Sequence, residues 1–351
     1  MISVRPALSA LGIGAADLFE VADERWEIAP ACPREIRPGI ALSGQFDRIR
    51  GTEFRTLEQV QRELTGGYVE TAGPTFGFRL KDVDLVDGVL YSAKGIRHLR
   101  QRSRWRPTYV EPQEVASGAL YESWWGNRWF GNWLSDDCPR YSLAKEYGKP
   151  VCSSLGSSGH VPDYEARLEI APLRLEKAHF RELLMFDDFT KNDERRGRAE
   201  AMRAQLVAAV PHESHPGVFL TRGTTGEARV LANETEIAAH LESRHGFRVL
   251  DPATSTVEAI IAACAGARVV AGVEGSHLVH GLAVMPPGSA LFVIQPPARV
   301  TSVLKFVTDR QGMDYAYLVA TGPDEAFTAS IEEVDQTLDL LMAGGHKAAA
   351  W

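Results

Sequence analysis

The spacing of apolar and polar residues changes character near residue 216. From there to about residue 325, short apolar runs alternate with stretches of helical length, each bounded by turn residues. Val218 to Leu220 reads as a strand, followed by the polar loop Thr221 to Gly226. Asn233-Glu234-Thr235-Glu236 is a capped start for a helix to about His245, closed by Gly246. Phe247 to Leu250 is a second strand, Ser255 to Ala265 a second helix and Ala267 to Ala271 a third strand. Gly272 to His277 then makes a glycine-bounded turn, Leu278 to Val284 starts a helix, and Met285-Pro286-Pro287-Gly288 stops it. Ala290 to Ile294 is a fourth strand, bounded by Pro296-Pro297. Alternation of this kind specifies a parallel sheet in a Rossmann-like domain. The turn at Gly272 falls at the carboxyl end of its strand, where open α/β sheets place phosphate-bearing ligands, and it carries Glu274 and His277 there.

Upstream the pattern is β-rich and irregular. Phe76 to Leu80 alternates, and Leu85 to Tyr91 predicts a hairpin around Asp87-Gly88. Asp82-Val83-Asp84 is a D-x-D, a signature of metal-dependent sugar transferases, but its place beside the hairpin predicts a turn-flanking surface role. In Tyr121 to Lys149, four of the seven tryptophans (Trp124, Trp125, Trp129 and Trp133) fall close together beside Asp136, Asp137 and Arg140. Two readings stay open for them: a helix packing aromatics into a core, or a sugar-binding surface that uses the flat indole face. Val151 to Leu155 is a strand before the small-residue loop Gly156 to His160. Asn192 to Ala209 is a charged helix, with Arg195, Arg196, Arg198 and Arg203 expected on a solvated face. Pro211 to Gly217 reads as a linker. The expected division is therefore residues 1–210, a β-rich start followed by α/β; residues 216–325, the Rossmann-like domain; and residues 326–351, a C-terminal helix and tail.

At 351 residues the chain has room for two cores. A formal charge of −8 lacks the basic excess of a nucleic-acid binder. Cys32, Cys138, Cys152 and Cys264 form no C-x-x-C pair, which argues against a structural zinc site and fits reduced thiols. The first twenty residues do not have the pattern of a signal peptide, and no segment is long and apolar enough to span a bilayer. A cytoplasmic protein is the expectation, with peripheral membrane contact left open. The domain has no G-x-G-x-x-G after its first strand, which disfavours a dinucleotide dehydrogenase.

Phe219 to Gly223, Arg229 to Glu234, Gly246 to Val249, Gly266 to Val270, Gly272 to Ser276 and a Pro-Gly turn before Leu291 to Pro297 resemble, in that order, the family 61 glycosyltransferases, including bacterial capsular-polysaccharide biosynthesis proteins. Upstream, Asn132 to Arg140 is similar to the family's H-W-L-x-D-x-L-P-R segment. The resemblance runs from about Trp129 to Tyr317. It implies a GT-B architecture, two Rossmann-like domains facing across a cleft, and inverting transfer from a nucleotide sugar to a glycan or lipid-linked glycan. Asn132 stands where the family often has His. Glu274 stands where eukaryotic members have the His of H-G-A, as in the bacterial capsule branch.

Inverting transfer requires a general base for the acceptor hydroxyl and cationic or N–H groups for the leaving nucleoside diphosphate. In a metal-free site Arg222, Arg229, Lys305 and the turn Glu274-Gly275-Ser276-His277 are the candidates for the second task. Asp136 is the expected base, with Asp137 and His277 as rivals. Trp129, Asn132, Trp133 and Arg140 are the expected acceptor contacts. No metal or separate cofactor is expected, the nucleotide sugar being a co-substrate. A glycan-binding module without catalysis and a GT-B-type sugar-nucleotide epimerase are the alternatives.

Overall fold

The computed structural model describes residues 1–153, 159–223 and 229–344. Most of the expected loop Gly156 to His160, the second half of the loop Thr221 to Gly226 and the tail after Gly344 lie outside the described residues. The chain forms two compact units: Met1–Cys32 with Ala72–Arg198, and Pro33–Thr71 with the chain from Ala199 onward. The sequence pattern suggests boundaries near 210 and 325, whereas the chain passes between the two units after 32, 71 and 198.

The second unit is built on a five-stranded parallel sheet: β1 (His215–Leu220), β2 (Arg248–Leu250), β3 (Ala267–Val273), β4 (Ala290–Gln295) and β5 (Asp314–Val319). Their spatial order is β2-β1-β3-β4-β5. Helices α1 (Glu234–His245), α2 (Val257–Cys264), α3 (Val303–Gln311) and α4 (Ile331–Gly344) accompany them. Every residue of β4 is buried, which explains its unbroken apolar run: a strand covered on both faces has no polar side to alternate with. Phe219, Phe292, Ile294 and Leu318 meet Ile237 and Leu241 of α1 and Val334 and Leu338 of α4 in one core cluster.

Local chemistry sets the element ends. Thr256 caps α2, its hydroxyl accepting from the Ala259 N–H at 3.2 Å. Gly246, at φ 68°, closes α1 in the left-handed conformation. The expected cap at Asn233 makes no side-chain capping bond. Its amide instead donates to the Ala329 carbonyl at 2.8 Å and accepts from the Ala329 N–H at 3.2 Å, tying the start of α1 to the approach to α4. The linker expected at Pro211 to Gly217 is partly strand, because β1 begins at His215, whose Nε2 donates to the Ala263 carbonyl at 2.7 Å. Residues 33–71 are fastened by Ile40, which exchanges backbone hydrogen bonds of 2.8 and 3.0 Å with Tyr315 and Tyr317 of β5, and by an ion pair from Arg48 to Glu333 of α4.

The first unit is built on a nine-stranded mixed sheet rather than a purely parallel one. Leu173–Arg174, Pro150–Cys152, Glu114–Leu120 and Lys177–Asp187 run parallel; Lys177–Asp187 then pairs antiparallel with Thr75–Val86. Thr75–Val86 turns into Val89–Tyr91 through Asp87 and Gly88, at φ 50° and 70°, the double left-handed turn that suits the twist of a two-residue hairpin. Its core gathers Phe78, Leu80, Leu120, Phe180, Leu183 and Met185.

The D-x-D divides. Asp82 is 78% exposed, whereas Asp84 is buried, contrary to the surface role expected of both. The Asp84 carboxylate receives Arg5 Nη1, the Tyr109 hydroxyl and His179 Nδ1, each at 2.7 Å. Its oxygens are occupied in holding the N-terminal segment to the sheet.

Candidate active site

In the β2-β1-β3-β4-β5 order the chain leaves β1 in one direction and returns to β3 on its other side. The crevice outside the carboxyl ends of β1 and β3 is therefore the switch point at which such sheets bind ligands. Thr221 to Gly223 follow β1 and Glu274 to His277 follow β3, so topology places both expected loops there. The Glu234 carboxylate on α1 accepts the backbone N–H groups of Arg222 and Gly223, both at 2.8 Å, and holds the loop start in place.

The buried Arg222 guanidinium lies against Gly275, where any Cβ would overlap its Nη1 and sit 3.0 Å from His277 Nδ1. Glycine is needed there for close approach. The Glu274 carboxylate pairs with Arg229, which also donates to the Glu274 carbonyl at 3.0 Å. Arg299, just past β4, brings Nη1 to 3.8 Å from the same carboxylate and Nε to 3.4 Å from Glu53. Glu274 thus faces two guanidiniums, and the third, Arg222, adjoins the next residue of the turn. The sequence reading missed Arg299, whose one local signal is its place just after a strand end and the Pro296-Pro297 stop.

The ring nitrogens of His277 are shut off from solvent, and burial, reinforced by the Arg222 charge, pushes its pKa down to about 3. The imidazole is therefore neutral at working pH, with little driving force as a base for a hydroxyl proton. Ser276 opens a 3-10 turn, Ser276–Leu278, that leads into only four α-helical residues, Val279–Leu282. This is shorter than the helix expected from Leu278 to Val284, so charge at this site comes chiefly from arginine side chains. Lys305 has other business: its ammonium is buried, donating to Asp309 Oδ1 and the Arg37 carbonyl, both at 2.7 Å. Its charge is met by Asp309, and it acts as a post between α3 and residues 33–71 rather than as a member of the arginine cluster.

In the first unit, Trp133–Asp137 form a π-helical turn between Phe130–Asn132 and the helix Cys138–Tyr147. Such turns are rare and concentrate at functional sites. Asp136 and Asp137 are both buried on it. Asp136 accepts from Asn132 Nδ2 at 3.0 Å and Ser135 Oγ at 3.1 Å, with Arg195 Nη2 3.3 Å away. Arg195 corrects the expectation of a solvated helix face: it is wholly buried, with Nε 3.3 Å from Asp188, to which Arg198 is also paired. A guanidinium in a core persists only with such carboxylate partners.

Asp137 accepts from the Ser123 N–H at 3.0 Å, the Ser123 hydroxyl at 2.8 Å and Arg140 Nη1 at 2.9 Å. Burial pushes its pKa up to about 7 against the pull of Arg140 and Ser123. Arg140, expected at the acceptor, is itself buried and also donates to the Tyr121 carbonyl at 3.0 Å, so it braces the acidic turn.

None of the four clustered tryptophans is buried. Trp125, 47% exposed, stacks on Trp129 with ring centroids 5.2 Å apart and planes 12° from parallel, and Arg128 lies over Trp129 at 4.5 Å. Trp133 packs against Phe130 and Tyr164. Two cavities flank the π-turn. One, of about 160 Å³, is lined by Trp125, Asp136, Arg140 and Asp188 among others; the other, of about 410 Å³, by Trp133, Asp137, His160 and Arg174 among others. Glu122 lines both. It follows the strand Glu114–Leu120, accepts from Asn127 Nδ2 at 2.9 Å and the Ser153 N–H at 2.5 Å, and is raised in pKa by burial. The sequence reading passed it over; an acid directly after the apolar end of a parallel strand was the available signal.

A parallel sheet with guanidiniums gathered at its switch point, and in the other unit a mixed sheet with buried acids between two cavities, mark the chain as an α/β protein with two clusters of buried charge. Residues 130–292 match the family model Glycosyltransferase 61, which supports a glycosyltransferase carrying a family 61 domain over that stretch. The match takes in Asp136, Asp137, Arg222, Arg229 and the Glu274 turn; Glu122 and Arg299 lie just outside it. No curated protein matches the chain.

Proposed function

We propose that this enzyme transfers a sugar with inversion from a nucleotide sugar to a glycan or lipid-linked glycan in surface or capsular polysaccharide synthesis. The observation that carries the reading is the convergence of Arg222, Arg229 and Arg299 on the Glu274 turn at the sheet's switch point. Guanidiniums suit a diphosphate because their planar forks donate two parallel hydrogen bonds to phosphate oxygens and remain charged at any working pH. The developing charge on the leaving nucleoside diphosphate is then met by arginine, without a metal. The two units are read as the donor-side and acceptor-side domains of a GT-B enzyme, working in the cytoplasm. Asp136 is the proposed base. The exposed Trp125 face supports sugar stacking beside it, and Trp129 and Asn132 brace that surface and the carboxylate.

The test is a thermal-shift panel of nucleoside diphosphates and nucleotide sugars, followed by a transfer assay with the stabilising donor. Selective stabilisation by one base, and product formation only with an acceptor glycan, is the expected result. Glycan binding without any nucleotide effect would favour a binding module, and donor consumption without acceptor an epimerase.

A further inference from the structure

A second cluster of functional groups lies on two of the helices that cover the parallel sheet. His240 and His245 sit in the last two turns of α1, and Asp335 is the fifth residue of α4. Both imidazoles place Nε2 on a single oxygen, Asp335 Oδ1, at 2.8 and 2.7 Å. The ligand atoms of the three residues all lie within 4.8 Å of one another. His245 closes α1 just before β2 begins, so this end of α1 lies toward the amino ends of the strands, whereas the Arg222 crevice lies outside their carboxyl ends.

We propose that His240, His245 and Asp335 form a binding site for a first-row divalent cation of the zinc type, which clips α4 to α1. Two imidazole nitrogens and one carboxylate oxygen are a ligand set that such ions prefer, whereas magnesium and calcium take oxygen alone. The helices that present the ligands are already immobilised, since Ile237 and Leu241 of α1 and Val334 and Leu338 of α4 share one core cluster. Ion binding therefore orders three side chains and no backbone. Tetrahedral zinc at its usual bond lengths separates neighbouring ligand atoms by roughly 3.3 Å, so the two imidazole–carboxylate contacts need widen by about half an ångström, and the two imidazole nitrogens, within 4.8 Å of each other, need close by about 1.5 Å at most. Side chains that are 23–26% exposed have room to do so and leave a face open for water as the fourth ligand. The competing cation, Arg244, reaches Asp335 only at 3.8 Å and is 69% exposed, so it holds the carboxylate weakly. The site is structural and takes no part in sugar transfer.

The experiment is zinc titration of the full chain, first stripped with a chelator, by calorimetry and thermal shift. The expected result is one equivalent bound with a rise in melting temperature. Affinity should fall at least tenfold in His240→Ala and in His245→Ala, and stay unchanged in Asp82→Asn, which removes an exposed acid elsewhere. His240→Gln, which keeps size and a hydrogen-bonding end, is the second variant should alanine perturb folding, and the metal-free melting of each variant is recorded beside its zinc response. No binding at 100 µM zinc, or binding that the histidine substitutions leave intact, would overturn the proposal.

Discussion

Replacing Glu274 by glutamine should weaken the empty protein and strengthen its response to diphosphate. The carboxylate is buried against Arg229 and 3.8 Å from Arg299, so Glu274→Gln leaves two guanidiniums without their shared counter-charge. Removing one member of a buried ion pair costs about 3–5 kcal/mol. Arg299 is 20% exposed and keeps some hydration, which places the expectation near the lower figure, about 3 kcal/mol. For a unit of this size that corresponds to a melting temperature lowered by roughly 6–12 °C. A diphosphate present at a hundredfold excess over its Kd adds about 2.7 kcal/mol and should restore most of the loss. Scanning fluorimetry of both proteins, with and without pyrophosphate and each nucleoside diphosphate, reads the two effects together. A variant that melts like the parent would show that Glu274 does not neutralise the arginines. One whose ligand response disappears would show that Glu274 binds the ligand itself, and either result refutes the reasoning.

The other expectations concern single residues. Arg222→Ala should weaken nucleotide binding by about ten- to a hundredfold with the fold intact, the worth of one charge-assisted contact; unchanged calorimetry would remove Arg222 from the site. Asp136→Asn should lower turnover by roughly 10²–10⁴ with donor binding near normal, while a lowered melting point with normal turnover would move the base to Asp137 or Glu122. Asp84→Ala should destabilise by about 3 kcal/mol, because Arg5 and His179 lose their partner, and transfer should survive EDTA; loss restored by manganese would make the D-x-D a metal site after all. Asp137 has a folded pKa near 7, above its unfolded value, so its contribution to stability is complete below about pH 4 and is lost as pH rises through 7. The difference in melting temperature between the parent and Asp137→Asn should therefore narrow or reverse from pH 5 to pH 8, and a pH-independent difference would contradict the raised pKa.

Much of this molecule is legible in one dimension. Four of the five strands in the second unit's parallel sheet follow from short apolar runs with turn residues on either side, most plainly β4, which is covered on both faces and so must be apolar throughout; the sequence reading passes over Asp314–Val319. Gly246 and Thr256 end and begin helices through contacts within a few residues of themselves, and the Asp87-Gly88 hairpin closes in the same local way. The Glu274 turn could be placed at a strand's carboxyl end for that reason. What the tertiary structure alone decided is which charges meet. Arg195 reads as one arginine among several on a polar helix, yet its partners Asp136 and Asp188 come from the π-turn and from the end of a strand. Lys305 and Arg299 look alike as cations after strands; one is neutralised by Asp309 on its own helix, and the other is carried to Glu274 from twenty-five residues away in sequence. His240, His245 and Asp335 carry no shared motif at all, being brought together by two helices packing on one core. Local patterns specify elements because their causes span a turn or two of chain. Charge pairing in a site is set by the order of strands in a sheet, and spacing along the sequence does not record that order.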